Sequence, residues 1–144
     1  MKSLFRSISS MILINILIIL STITLHELGH ALSGKLLGCA QAKAVIYDTE
    51  SANPYTELVC YDKVDKMYLS GLALTTLFGI SFLTFDDKPN RYLSIVIIGF
   101  GIFLSSLDVF DLTGYNFFKY FFMIFGLISF IIGQILYGLE KSLE

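Results

Sequence analysis

Charge is what this chain has least of. Only 15% of its 144 residues are Asp, Glu, Lys or Arg, against 55% that are hydrophobic, and a domain of this size cannot bury that much apolar surface in water. An ordinary soluble domain is excluded. Basic runs are missing too, and with a net charge of −2 the composition names no nucleic-acid partner, only the lipid bilayer. No strand-like alternation runs through the apolar stretches, so helices rather than a closed barrel must satisfy the backbone in hydrocarbon. Internal repeats and low-complexity tracts are absent. Tryptophan is absent as well, leaving Phe and Tyr as the available interfacial anchors. Cysteine occurs twice, too rarely to fix a redox compartment; Cys39 and Cys60 flank the one sizeable polar segment, and a disulfide or two free buried thiols suit the sequence equally. Histidine also occurs twice. Both copies fall within five residues of each other.

What is present is a series of apolar windows: Ser7 to Leu25 and on towards Leu37, Met67 to Phe85, Tyr92 to Leu107, and Phe117 to Tyr137. They predict an all-α polytopic membrane protein, a four-transmembrane-helix bundle with spans near 7–37, 67–85, 92–107 and 117–137, the third being the shortest. One membrane-embedded domain covers 1–144, and an integral, multi-pass protein of the cell membrane is expected. Between the first two spans, segment 40–66 changes texture. "AKAVIYD" and "YTELVCYD" mix β-branched and aromatic residues around "TESANP", which predicts a small β-hairpin between helices 1 and 2. "DDKPNR" and "DVFDLTG" read as short loops. The N-terminus resembles a signal peptide ending at Leu36-Leu37-Gly38-Cys39, but His26, Glu27, His30 and Lys35 interrupt it, so a retained helix is expected. Lysines and arginines divide evenly between the two faces and leave the orientation unread; whether the chain forms a homo-oligomer is equally open. Gly71, Thr75 and Gly79 in the second span, and Gly126, Ser129 and Gly133 in the fourth, line up as small-residue packing seams.

The chemistry gathers in "TLHELGHAL", residues 24–32. His26 and His30 are four apart, hence one turn from each other on one helix face, where both imidazoles can hold a metal ion. Glu27 lies about 100° round the helix, placed to act as a base beside the metal. This is the H-E-x-x-H arrangement, in which zinc-bound water is activated by the neighbouring carboxylate. Asn15, Thr22, His26, His30 and Ser33 continue one polar stripe, and a single polar line on an apolar helix faces protein rather than lipid. Asn15 suits either substrate backbone or helix–helix adhesion, the latter better. A catalytic zinc needs a third protein ligand, and no histidine remains. Asp108 and Asp111 are the best candidates by depth: His26 lies about 30 Å beyond Arg6 and Asp108 about 26 Å beyond Arg91 along their helices. Being three apart, one aspartate can bind metal while the other orients a ligand. Asp111 is slightly preferred as the ligand because Gly114 follows it closely. Asp48, Glu50, Glu57, Asp62 and Asp65 read as solvated loop charge, and Asp86 and Asp87 lie at the other end.

His26-Glu27-Leu28-Gly29-His30 in the first membrane helix, with an aspartate before a glycine in a later segment, resembles the site-2 protease family of intramembrane zinc metallopeptidases. The resemblance implies Zn2+ held by the two histidines and an aspartate, Glu27 as general base, and a transmembrane protein or peptide as substrate. It also implies a β-strand region after the histidine helix, which 42–61 matches and whose edge suits strand addition. The family's Gly-Pro and Asn in the middle segment are replaced by Ser70-Gly71-Leu72-Ala73, and its later Asn-x-x-Pro and Asp-Gly by Ser105, Ser106, Asp108 and "DLTG". Two rival expectations are a proteolytically inactive member that binds membrane proteins, and a metal-ion carrier. Glu27 argues against the first, and the clustering of polar groups near one face against the second.

Overall fold

The computed structural model describes residues 2–47, 53–61 and 67–143. Helix α1 (Lys2–Leu36) leads into an antiparallel hairpin of β1 (Gln41–Val45) and β2 (Tyr55–Val59), followed by α2 (Ser70–Ser81), α3 (Lys88–Leu104), α4 (Ser106–Thr113) and α5 (Asn116–Leu143). Three helical stretches are long and apolar enough to cross a membrane: Ser9–Leu36, Lys88–Thr113 and Asn116–Lys141. The chain is therefore mostly helical, with a small two-stranded sheet where the hairpin was expected.

The second expected span is where the architecture differs. Helix α2 and the 3-10 turn after it, Phe82–Thr84, together rise only about 24 Å, against a hydrocarbon core of about 30 Å. The apolar run 67–85 is longer than the helix it contains. The third span is the opposite case, longer than 92–107 rather than the shortest. Asp87 caps α3 by accepting from Asn90 N, with Pro89 in the first turn. At the far end, Ser105 N bonds Gly101 O and Val109 N bonds Ser105 O, each at 3.0 Å. These two bonds carry the helical course from α3 into α4, so "DVFDLTG" is helix and not loop. It stops at Gly114, whose φ of 72° and N–H bond to Phe110 O form a left-handed cap.

Helix α1 ends by the same device. Gly38 has φ 81°; its N–H bonds Lys35 O at 3.1 Å and the Cys39 N–H bonds Gly34 O at 3.0 Å, the paired bonds of a Schellman motif. The chain reverses at once and runs β1 back along α1. The register pairs Ala42 with Leu58 and Ala44 with Thr56, and these inner-face residues are half-buried. A Cβ built on Gly34 would lie 2.7 Å from Leu58 and 3.0 Å from Ala42, so the glycine lets the hairpin lie directly on the helix. Cys39 and Cys60 are joined in a disulfide, resolving the two alternatives that composition left open and fastening the hairpin's open end to the end of α1.

Within the helical part, α3 and α5 make the most extensive helix pair, and α2 packs between α1 and α3. The small-residue seams lie in these contacts: Gly99 of α3 faces Ser129 and Phe130 of α5, and Gly133 faces Val96, which allows the close backbone approach that drives association where lipid is as apolar as leucine. The core gathers Ile18, Leu93, Val96, Ile97 and Tyr137. Asn15 accepts a hydrogen bond from Gln134 Nε2 of α5. Its place on the polar stripe is thus helix–helix adhesion.

Candidate metal centre

Two turns of α1, the first turn of α2 and the first turn of α4 build the site. His26 and His30 are both buried, with relative exposures of 5% and 8%, and so is Thr22 further up the same stripe, whose hydroxyl bonds back to Ile18 O at 2.7 Å. The polar line therefore does face protein. Asp108 of α4 reaches across to both rings: its Oδ2 lies 3.1 Å from His26 Nε2 and 3.4 Å from His30 Nε2. The two Nε2 atoms are 3.3 Å apart. Among the described residues His26, His30 and Asp108 form a cluster able to hold a metal ion, and Asp111 is not in it.

Asp111 is exposed one turn further along α4, so the preference for it over Asp108 is not supported by its placement. The glycine that suggested it has another task, since Gly114 ends the helix. Glu57 is exposed on the outer face of β2, and Asp87 is the cap of α3. Asp48, Glu50, Asp62 and Asp65 lie outside the described residues.

Comparison with family models, curated proteins and solved structures finds no match. The cluster must be judged on its own geometry.

Three features of that geometry fit a metal. First, His30 Nδ1 is 2.8 Å from Met67 O; a carbonyl only accepts, so Nδ1 carries the proton and Nε2 of the neutral ring turns its lone pair to the cluster. Second, Asp108 Oδ2 is buried yet makes no hydrogen bond despite its two close nitrogens. An acceptor oxygen and a lone pair at such separation need a cation or a proton between them. Third, ligands about 2.05 Å from a tetrahedral zinc lie about 3.3 Å from one another, and the three atoms here are separated by 3.1, 3.3 and 3.4 Å. The residues present suit zinc in both donor type and spacing.

The surroundings hold these ligands in place. Ser70 Oγ lies 3.3 Å from His30 Nδ1, and the Ser33 hydroxyl sits between Ser70 Oγ at 2.9 Å and His30 O at 3.0 Å. Two glycines make the crossing of α1 and α2. A Cβ on Gly29 would fall 2.5 Å from Ser70 O, and one on Gly71 would fall 2.7 Å from both His26 Nδ1 and His30 Nε2. Gly71, legible from spacing only as a packing seam, is the floor beneath both imidazoles. Gly71→Ala should therefore displace the rings, costing about 1–3 kcal/mol by overpacking and weakening zinc binding, as read by thermal unfolding and zinc titration in detergent. Unchanged values in both would mean that the rings tolerate the methyl group.

Glu27 is half-buried at the rim of the cluster. With His30, Asp108, Thr56, Tyr55 and Tyr68 it lines a cleft of about 310 Å³ between the helices and the hairpin. Its Oε2 accepts a 2.7 Å hydrogen bond from Thr56 Oγ1, a contact that sequence reasoning missed. The available signal was the alternation of β2, which puts Thr56 on the strand's inner face.

Proposed function

We propose that the protein is an intramembrane zinc metalloprotease that hydrolyses peptide bonds of transmembrane or membrane-associated proteins. The observation that carries this reading is the carboxylate of Glu27 in the same cleft as His30 and Asp108, two members of a cluster of two buried imidazoles and a half-buried carboxylate. His26, His30 and Asp108 would hold the ion. When bound, zinc lowers the pKa of a water and polarises the scissile carbonyl.

This chain's own residues supply the rest. Glu27 takes a proton from the attacking water and delivers it to the leaving amine. Met67 O orients His30 so that its Nε2 is available as a ligand. The cleft accepts an extended segment beside Tyr55 and Thr56; since a helical peptide bond is enclosed by its own turn and hydrogen bonds, the substrate must be locally unwound before cleavage. Three long apolar helices support a multi-pass protein of the cell membrane, with α2 as a fourth, shorter element in the bundle. The Cys39–Cys60 disulfide supports an oxidising, non-cytoplasmic side for the hairpin, and with it an opening of the cleft towards that face.

The test is cleavage by the purified protein in liposomes of a single-span model peptide carrying Gly and Asn in the outer third of its span. We expect cleavage with one zinc per chain, abolished by a membrane-permeant chelator and restored by zinc. Cleavage untouched by removal of the metal, or zinc flux across the liposome without cleavage, would sink the assignment; the second result would favour a carrier.

A further inference from the structure

We propose that Thr56, on strand β2, is the residue that positions the carboxylate of Glu27. Its hydroxyl is directed at Glu27 twice, lying 2.7 Å from Oε2 and 2.9 Å from the residue's own backbone oxygen. The single hydroxyl proton is thus held between the two ends of one residue. Glutamate has three side-chain torsions and is among the residues with most rotamer freedom, so a carboxylate at a cleft rim has no fixed direction of its own. The contact with Thr56 gives it one. A base must lie within hydrogen-bond reach of the proton it abstracts, and small misplacements of reacting groups are costly.

The position of Thr56 is itself set away from the cleft. Leu58, two residues on and on the same strand face, packs over Gly34 together with Ala42. Beyond it the disulfide Cys39–Cys60 ties the strand's end to the end of α1. Helix α1 thereby carries Glu27 and also, through the hairpin seated on it, the group that orients Glu27. Thr56 takes no part in the metal cluster, whose members are His26, His30 and Asp108. Its proposed effect is on the direction of the base and not on retention of the ion. This inference rests on the proteolytic reading for its catalytic consequence, while the contact itself can be tested without it.

The full-length protein in liposomes, with the same single-span model peptide, provides the first measurement. Thr56→Val keeps the side-chain shape and removes the hydroxyl; kcat should fall by about 10²-fold with KM within about twofold and zinc content unchanged, and Thr56→Ser should recover most of the loss. Thr56→Ala removes the same hydroxyl without setting a methyl group against the carboxylate, and gives a second reading if the valine variant folds poorly. The other measurement is thermal unfolding of zinc-free protein. Thr56→Val should lower the midpoint by about 4 °C in the wild-type background and by clearly less in Glu27→Ala, because the two groups are coupled. Equal shifts in the two backgrounds, or a valine variant with wild-type kcat, would overturn the proposal. Coupled midpoints in a protein that cleaves nothing would support the contact and refute the protease reading.

Discussion

Glu27→Gln should lower the rate of peptide cleavage by about 10²–10⁴-fold, the usual contribution of a general acid–base group, while zinc content and thermal midpoint stay at wild-type values. The amide has nearly the shape of the carboxylate and still offers an oxygen to the Thr56 hydroxyl, which now lies 2.7 Å from Oε2. Seating of the hairpin on α1 is therefore preserved. What the amide lacks is a lone pair basic enough to take a proton from the attacking water. Glu27 is not part of the cluster of His26, His30 and Asp108, so loss of its charge leaves all three donor atoms in place. Single-turnover cleavage of the liposome-bound model peptide, metal analysis of the same preparation and a thermal scan together read the three quantities. A variant that cleaves at the wild-type rate would end the protease assignment. A variant that loses zinc along with activity would make Glu27 a ligand instead of a base.

That prediction comes from the part of the site that local spacing determines. Residues one helical turn apart must share a face, so "HELGH" places His26, His30 and Glu27 relative to one another before any tertiary contact forms. The hairpin was legible for a similar reason, since its turn chemistry and its strand runs lie within one short segment. Hydropathy, by contrast, measures the length of an apolar run and not of the helix inside it. Residues 67–69 precede α2 and residues 82–84 form a 3-10 turn, yet all are apolar enough to be counted into a span. Helix α4 escaped notice in the opposite sense: Asp108, Asp111 and Thr113 look like loop residues. It is a helix because it continues the hydrogen-bonded course of α3 and packs on α5. The Thr56 contact was legible only as far as the strand face that alternation gives it; which residue it meets was beyond reach for the same physical reason as the choice of aspartate. Each depends on how one element is rotated and shifted against α1, and neither periodicity nor composition contains that quantity.

The choice of aspartate carries the second large effect. Asp108→Asn should lower zinc affinity by more than about 10²-fold, beyond the range seen when only a supporting residue around a metal is changed, whereas Asp111→Asn should leave it within about twofold. The two residues are three apart on α4, but Oδ2 of Asp108 lies against both Nε2 atoms while Asp111 is exposed. Asparagine occupies the same volume, and its amide N–H can donate to the lone pair of an unmetallated histidine, so the zinc-free fold should be kept or slightly stabilised. What it cannot do is contribute negative charge. With two neutral imidazoles, Asp108 would be the one ligand to bring negative charge into contact with the ion; a neutral amide in its place would leave the ion's charge uncompensated within its own ligand set in a largely buried site, where an unpaired charge is costly. Competition for zinc against a chelator of known affinity, run on wild type, both asparagine variants and His26→Ala, separates the cases. Loss of affinity in Asp111→Asn with Asp108→Asn unaffected would mean that the metal-bound protein turns α4 to present its other acid. Equal retention in both would reduce the cluster to its two histidines, which leaves too few protein ligands for a catalytic zinc.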